Sequence, residues 1–178
     1  MAGIGRALAD EERQRWGDVR PTHVGPLRFG MSPDEAATAM VGYSASFQDV
    51  RCVFGDTRRG DFRLPSRPHD NVPVRAYFAG PAGLQCIVVD ALCGPQVTMD
   101  GIRLVGRTLP DLETEMIDYL IPRGRIVRYY PSGAAGPDEI IVSTQLDGDT
   151  WLTEPVFAVQ RERANSLWDS VPADALGY

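Results

Sequence analysis

The hydrophobic pattern of a strand is followed directly by that of a helix in one short stretch of the chain, GPLRFGMSPDEAATAM at residues 25–40. Its LRF segment predicts a short strand, and Gly30 predicts a turn conformation that residues with side chains adopt poorly. Ser32 has the chemistry of a helix N-cap, with Pro33 at the first helical position and Glu35 completing a capping box. We therefore expect a strand, a tight turn and a short capped helix that is stable only when packed on a sheet.

The same order of features recurs 76 residues later in GIRLVGRTLPDLETEM, at residues 101–116. Gly106 aligns with Gly30 and Thr108 with Ser32 without a gap, and an acid again occupies the third helical position. A longer apolar stripe at helical spacing follows, made of Leu109, Leu112, Met116, Ile117 and Leu120. Capping boxes are common, but the shared order favours an internal duplication.

Each copy of this unit is followed by segments typical of strands. After the first copy come FQDVRCVF, then VRAYFAG and LQCIVVDAL, and the last two form a predicted hairpin around a Gly-Pro-Ala-Gly connection. After the second copy come RIVRYY, EIIVSTQL and TWLTEPVFAVQ, with an Asp-Gly turn at Asp147 and Gly148. In VRAYFAG, Val74, Ala76 and Phe78 alternate with the other side chains, which predicts a sheet with one buried face.

We therefore predict an α+β fold of two tandem lobes, each with short helices packed on an antiparallel β-sheet. The first repeat covers residues 21–97 and the second residues 98–178, within one compact unit. Residues 1–20 form a predicted N-terminal helical extension, in which residues 6–16 are amphipathic and Trp16 is the anchor.

Charge is unevenly distributed along the chain, whose formal net charge is −6. Residues 1–107 hold 13 Arg and 12 acids, whereas residues 108–178 hold 5 Arg and 12 acids, so the balances are +1 and −7. An acidic half disfavours nucleic-acid binding, which needs a basic surface, and favours a basic protein partner. A solvated acidic surface without a partner explains the same count.

The N-terminal residues lack the apolar segment of a signal peptide, and no apolar run is long enough to cross a membrane. We therefore expect a cytoplasmic protein that does not bind membranes. The odd number of cysteines and the absence of CxxC spacing agree with that location. Cys86 and Cys93 are predicted to be reduced core residues, with a single regulatory or strained bridge as the alternative.

Catalytic and metal-binding patterns are scarce in this sequence. The only histidines are His23 and His69, which we interpret as exposed loop residues. His69, Asp70 and Cys52 are the available set for nucleophilic catalysis, but they follow no local signature. Metal-ligand spacings and phosphate-binding loops are also absent. We therefore expect no enzyme activity, no metal and no cofactor.

Two phrases resemble known protein families. GPLRFGMSPDEA resembles the strand, FGMS or FGMT turn and helix of β-lactamase inhibitory proteins and of small outer-membrane assembly lipoproteins. VTMDGIRLVGRTLPDLETEM is similar to uncharacterised actinobacterial cytoplasmic proteins that are regarded as immunity proteins or as accessory partners of toxin systems. The resemblance covers residues 24–41 and 74–120. It implies helices preceding an antiparallel sheet, and not a β-lactamase target, because the chain shows neither the export signal nor the disulfides of the secreted inhibitors.

The inhibitors contact their targets through a sheet surface rich in aromatic and acidic residues, so the resemblance implies a similar surface here. The candidates for partner binding are Tyr129, Tyr130, Asp147, Asp149 and Trp151. The predicted function is non-enzymatic inhibition of a basic toxin or enzyme. The alternatives are a homodimer formed through a sheet edge or the Trp16 segment, and a thiol-dependent enzyme that uses Cys52 and His69.

Overall fold

The computed structural model describes residues 6–52, 55–67, 71–125, 128–129, 135–136 and 140–158. Within these ranges the helices are α1 (Pro33–Ala39) and α2 (Leu109–Leu120). The strands are β1 (Arg15–Asp18), β2 (His23–Val24), β3 (Leu27–Arg28), β4 (Ser44–Cys52), β5 (Gly55–Arg63), β6 (Val74–Phe78), β7 (Leu84–Val89), β8 (Gln96–Met99), β9 (Ile102–Arg103), β10 (Arg128–Tyr129), β11 (Ala135–Gly136), β12 (Ile140–Asp147) and β13 (Thr150–Ala158). Short 3-10 helices occupy Asp10–Glu12, Gly80–Ala82 and Ile121–Arg123. The fold is α+β with mostly antiparallel sheets, as the sequence predicts.

One six-stranded antiparallel sheet organises the molecule, in the order β12-β13-β7-β6-β5-β4. The predicted hairpin around Gly-Pro-Ala-Gly is confirmed as β6 and β7. Strands β4 to β7 come from the first predicted repeat and β12 and β13 from the second. The pairing of β7 with β13 therefore joins strands from both halves of the chain into a single sheet.

The two helices pack on one face of this sheet. Ala36 of α1 and the residues Leu112, Met116 and Leu120 of α2 are buried in the main hydrophobic cluster. The three α2 residues follow the predicted helical spacing of three or four positions. Burying each of these larger side chains stabilises the fold by about 2 kcal/mol. The sheet supplies the opposite wall of the cluster through Phe62, Val74, Ala76, Phe78, Ile87, Val89, Val142 and Phe157.

The two predicted glycine turns have similar backbone geometry, but the predicted hydroxyl cap is present only at α1 and is wrong for α2. Gly30 has a φ of 86° and Gly106 a φ of 67°, and a helix begins three residues after each of them. The capping box of α1 is complete, because Ser32 Oγ accepts from Glu35 N at 3.2 Å and Glu35 Oε2 accepts from Ser32 N at 2.8 Å. At α2 the Thr108 hydroxyl donates to the Asp111 carboxylate instead of capping the backbone.

The predicted amphipathic helix at residues 6–16 is wrong. This segment contains only the short 3-10 helix and the start of β1, which pairs in parallel with β8. The cause is Arg13, whose guanidinium is buried and donates to the carbonyl oxygens of Ala91 at 2.7 Å and Gly94 at 2.8 Å. Those tertiary hydrogen bonds outweigh a helix propensity that is a weak preference in any segment.

The prediction that only one face of the sheet is buried is also wrong for its central strands. Tyr77, Cys86 and Val88 point to the face opposite the helices, and each is at most 3% exposed. All six residues of β7 are buried. Cys86 and Cys93 are buried thiols, as predicted for core residues. The centre of the sheet therefore contributes to the core on both sides.

Candidate functional site

A tight turn connects β12 and β13 into an eight-pair hairpin that ends where Asp147 pairs with Thr150. Gly148 and Asp149 are the two residues of the turn, and Gly148 has a φ of 59°. A glycine is favoured at such a position because it has no Cβ. The predicted tight turn is confirmed, but it lies one residue later than the predicted Asp-Gly pair. We call residues 146–151 the hairpin tip.

The hairpin tip exposes two large apolar side chains next to each other. Trp151 is 55% exposed and Leu146 is 46% exposed, and the strand register places them directly opposite each other. Residues two apart on a strand share a face, so both lie on the face that carries Val142 and Phe157 into the core. The apolar stripe of the hairpin therefore continues from the core into solvent.

The two acidic candidates at the tip have different surroundings. Asp149 lies in the turn and is exposed. Asp147 is half-buried, and its Oδ2 accepts a hydrogen bond from Ala7 N at 3.2 Å, which attaches the N-terminal segment to the hairpin. Asp149 is therefore the acid available to a partner beside Trp151, whereas Asp147 has a structural contact of its own.

The hairpin is held in place by Thr153, which is fully buried. Its backbone accepts from Gly106 N at 2.9 Å and donates to Arg107 O at 2.8 Å. Its hydroxyl donates to Leu104 O at 2.8 Å and accepts from Arg107 N at 3.0 Å. The turn that precedes α2 thus forms a short antiparallel contact with β13, and it fixes the base of the tip through both backbone and side chain.

A buried charge lies one residue further along β13. Glu154 is 2% exposed, and its Oε1 is 3.0 Å from Arg75 Nη2 on β6. Burial raises the pKa of Glu154 to about 7, the negative charge of Asp90 acts in the same direction, and Arg75 and a hydrogen bond from the Ala91 backbone oppose the rise. An uncompensated charge in this position is costly, so the Arg75 contact is needed to hold the ionised form.

A second buried polar group anchors the turn between β7 and β8. Asp90 is 3% exposed, and its Oδ1 accepts from Leu92 N at 2.8 Å and Cys93 N at 2.9 Å. The Arg13 guanidinium binds carbonyl oxygens of the same turn. Leu92 packs with Leu152 of the hairpin in a small separate cluster. The buried charged residues Glu154, Asp90 and Arg13 therefore lie at the base of the hairpin. The residues exposed at its tip include Trp151, Leu146 and Asp149.

The predicted partner-binding residues are only partly brought together. Asp147, Asp149 and Trp151 lie on the hairpin tip. Tyr129 belongs to β10, which pairs with β11, but its side chain lies outside the described residues, as does Tyr130 as a whole. β11 lies beside both α2 and β12. The predicted opposite orientations of the two tyrosines are therefore not described.

Leu146 was missed in the sequence because it is an ordinary strand residue there. Counting outward from the two-residue turn would have identified it, since the turn fixes the register and makes Leu146 the neighbour of Trp151.

The alternative catalytic set falls largely outside the described residues. Cys52 has a described backbone in β4 but no described side chain, and His69 and Asp70 are not described. The interpretation of His23 as an exposed loop residue is wrong, because His23 lies in β2 and is half-buried.

No protein-family model, curated protein or solved structure matches the chain. The resemblance to inhibitors and immunity proteins therefore stays a prediction from the two quoted phrases. Among the described residues, no cluster of three or more His, Cys, Asp or Glu side chains is arranged to hold a metal ion. No described helix combines the length and apolar character needed to span a membrane.

Proposed function

We propose that this chain is a non-enzymatic, cytoplasmic protein-binding module of the immunity type, which inhibits a toxin or enzyme by covering a basic surface. The observation that carries the proposal is the hairpin tip, where Trp151 and Leu146 are exposed side by side next to Asp149. An exposed tryptophan is typical of the residues that dominate protein interfaces, and a neighbouring acid favours basic residues on the partner.

The rigidity of the hairpin supports this proposal. Thr153 fixes the base of the tip by four hydrogen bonds, so Trp151 is presented by a strand and not by a loose loop. Binding then orders fewer backbone and side-chain torsions, which lowers its entropic cost. Truncating such an aromatic anchor costs about 2 kcal/mol or more, which is about 30-fold in Kd.

The negative charge of this chain favours a basic partner. Residues 108–178, which include the tip, carry a balance of 5 Arg against 12 acids, and the whole chain has a formal net charge of −6. Such a field accelerates association with a basic protein and is weakened by salt. The acids would therefore act mainly on the association rate and Trp151 mainly on the dissociation rate.

We also propose that the chain arose from two tandem lobes covering residues 21–97 and 98–178. Three spacings support this: Gly25 to Gly101, Gly30 to Gly106, and the helix starts at residues 33 and 109 are all 76 residues apart. All four glycines have a positive φ. In this proposal each lobe contributes one glycine turn, one helix and one set of strands to the shared sheet.

Photo-crosslinking from the tip tests the function. A photoreactive phenylalanine analogue replaces Thr150, an exposed tip residue, in the full chain, and a control chain carries it at Val41, which is 85% exposed on another surface. In lysate of the native host we expect position 150, and not position 41, to crosslink one basic protein. The purified partner should then bind the Trp151→Ala variant about 30-fold more weakly than the wild type. Equal crosslinking from both positions, or unchanged affinity of the variant, would refute the proposal.

A further inference from the structure

The strand β4 forms the end of the six-stranded sheet opposite to the hairpin tip. It pairs with β5 over nine consecutive residues without a register shift, from Ser44 opposite Arg63 to Cys52 opposite Gly55. The side chains of Ser44, Ala45, Ser46, Gln48 and Asp49 are all exposed, and no described strand pairs with the outer side of β4. A long regular edge of this kind presents unpaired backbone groups that can accept another strand.

The usual protections of a sheet edge are weak in β4. Natural edge strands are shortened, bulged, interrupted by proline or lined with charged side chains. β4 has no bulge and no proline, and its described exposed side chains include a single charge, that of Asp49. The opposite edge differs, because β11 lies beside β12. The edge formed by β4 is therefore the more open of the two.

We propose that β4 pairs in antiparallel orientation with β4 of a second copy of this chain, which joins two six-stranded sheets into one continuous sheet about a two-fold axis. An antiparallel pair of identical strands is self-complementary, because each residue meets its counterpart through the same rotation. The proposal names a second copy, and not a foreign peptide, because the register centred on Phe47 brings residues 44–50 of the two copies together with no like charges directly opposite each other.

In that register the two Phe47 residues meet at the axis. Ser46 then faces Gln48 of the second copy, and Ala45 faces Asp49 of the second copy, so the two Asp49 carboxylates stay apart. The aromatic pair at the axis and the two polar pairs of Ser46 with Gln48 are favourable. Shifting the axis to Asp49 would place two carboxylates directly opposite each other, which is unfavourable.

Phe47 is already oriented for this contact. Its ring packs edge-on against Phe62 and Phe78, with centroid distances of 6.2 and 6.0 Å, and it lies across Gly60 of β5. Phe47 remains half-buried, and the Arg58 guanidinium lies 5.3 Å from the centroid of its ring. A second copy would cover this remaining surface without moving the ring, since its position is fixed from the core side.

The effect of salt distinguishes dimerisation through β4 from partner binding at the hairpin tip. Each copy has a formal net charge of −6, so two copies repel one another and salt strengthens their association by screening. Binding of a basic partner at the tip responds in the opposite direction. The two proposals therefore fail or succeed independently.

The test is the association constant of the full chain, measured by sedimentation equilibrium over a range of concentrations. We expect a dimer of twice 19.5 kDa in the wild type. The double variant Ser46→Lys with Gln48→Lys places two like-charged pairs across the interface and should weaken the dimer at least about tenfold. The variant Ser46→Lys with Gln48→Glu converts the same contacts into opposite-charge pairs, so it should dimerise at least as tightly as the wild type.

Two control variants test whether a loss of dimerisation is specific to β4. Thr38→Lys with Thr114→Lys adds the same net charge at exposed helix positions away from the edge, so dimerisation should not weaken. Trp151→Ala should also dimerise normally. If the charged variants fold poorly, hydrogen exchange of the wild-type β4 amides provides a second readout, and their protection should rise with protein concentration. A wild type that stays monomeric, a double-lysine variant that dimerises like its control, or a dimer lost in Trp151→Ala would each overturn the proposal.

Discussion

Replacing Glu154 by glutamine tests the packing at the base of the hairpin, because the carboxyl of this residue is buried beside charges of both signs. It contacts Arg75 at 3.0 Å and is 2% exposed. Burial raises its pKa from 4.5 to about 7, with Asp90 contributing in the same direction. Glutamine has nearly the same size as the protonated carboxyl but does not titrate.

The sign of the pH effect follows from proton binding. Between pH 4.5 and about 7 the folded chain keeps a proton on Glu154 that the unfolded chain has already released. The stabilisation due to this proton is fully present below pH 4.5 and is lost as the pH rises through about 7. At about 1.4 kcal/mol per pKa unit, the difference between the two pKa values corresponds to roughly 3 kcal/mol of unfolding free energy.

The assay is urea unfolding of the wild type and the Glu154→Gln variant from about pH 4 to about pH 9. The unfolding free energy of the wild type minus that of the variant should fall by roughly 3 kcal/mol with rising pH, while contributions from all other groups cancel. Glu115→Gln is the matched control for the removal of a paired carboxylate at the surface, since the Glu115 side chain is 47% exposed beside Arg107. A flat difference for Glu154→Gln would refute the burial argument.

Five further substitutions test the local geometry by urea unfolding. Gly106→Ala should cost about 3 kcal/mol or more, because a Cβ there would lie 2.4 Å from the Arg13 guanidinium in addition to the strain of a positive φ. Gly30→Ala should cost only about 1 kcal/mol, since it shares the positive φ but has open space around its Cβ position; equal costs would contradict the role assigned to the contact. Ser32→Ala should cost about 1 kcal/mol through loss of the capping box, and Thr108→Ala should cost less because its hydroxyl bonds to a side chain. Arg13→Met should cost about 3 kcal/mol by leaving buried carbonyl oxygens without a donor, and a cost below about 1 kcal/mol would show that water replaces the guanidinium.

The parts of the fold that the sequence predicts are those set by local chemistry. Gly30 and Gly106 predict turns because few other residues adopt a positive φ, and both turns are present. Ser32 and Glu35 predict the start of α1 because their hydrogen bonds reach only three residues. The turn beside Asp147 predicts the hairpin for the same reason, within one residue.

The parts that the sequence does not predict depend on contacts between distant residues. Arg13 has the composition of an exposed helical residue, yet its partners lie about 80 positions away in the turn at Ala91 and Gly94. Gln96 is 1% exposed, and its side-chain amide bonds to Asp10, Leu104 and Val105. Polar residues of this kind are usually exposed, so burial of these two becomes visible only once their partners are in place.

The exposure of the hairpin tip also combines local and distant causes. The turn fixes which residue faces Trp151, and this is a local property. Leu146 and Trp151 are exposed, while Val142 and Phe157 on the same face lie in the core, and the turn before α2 contacts β13 between these two parts, at Leu152 and Thr153. Alternation along a strand identifies a face but does not give the point at which the cover on that face ends.

The tip and the open edge lie at opposite ends of one sheet, and this arrangement has a consequence for binding. β12 and β4 are the outermost strands of six, so a dimer joined through β4 would place two tips at the far ends of a twelve-stranded sheet. With neighbouring strands about 4.8 Å apart, the tips would be separated by roughly 50 Å along the sheet, less any shortening by twist.

In solution, each tip of such a dimer binds its own partner molecule independently. On a dense surface of immobilised partner, both tips of one dimer can bind at once. We therefore expect the Ser46→Lys and Gln48→Lys double variant to match the equally charged Thr38→Lys and Thr114→Lys variant in solution titrations of the partner, and to dissociate at least about tenfold faster than that control from a dense partner surface. The Ser46→Lys and Gln48→Glu variant should dissociate as slowly as the wild type. Equal dissociation rates for both double variants would show that the two surfaces do not act together.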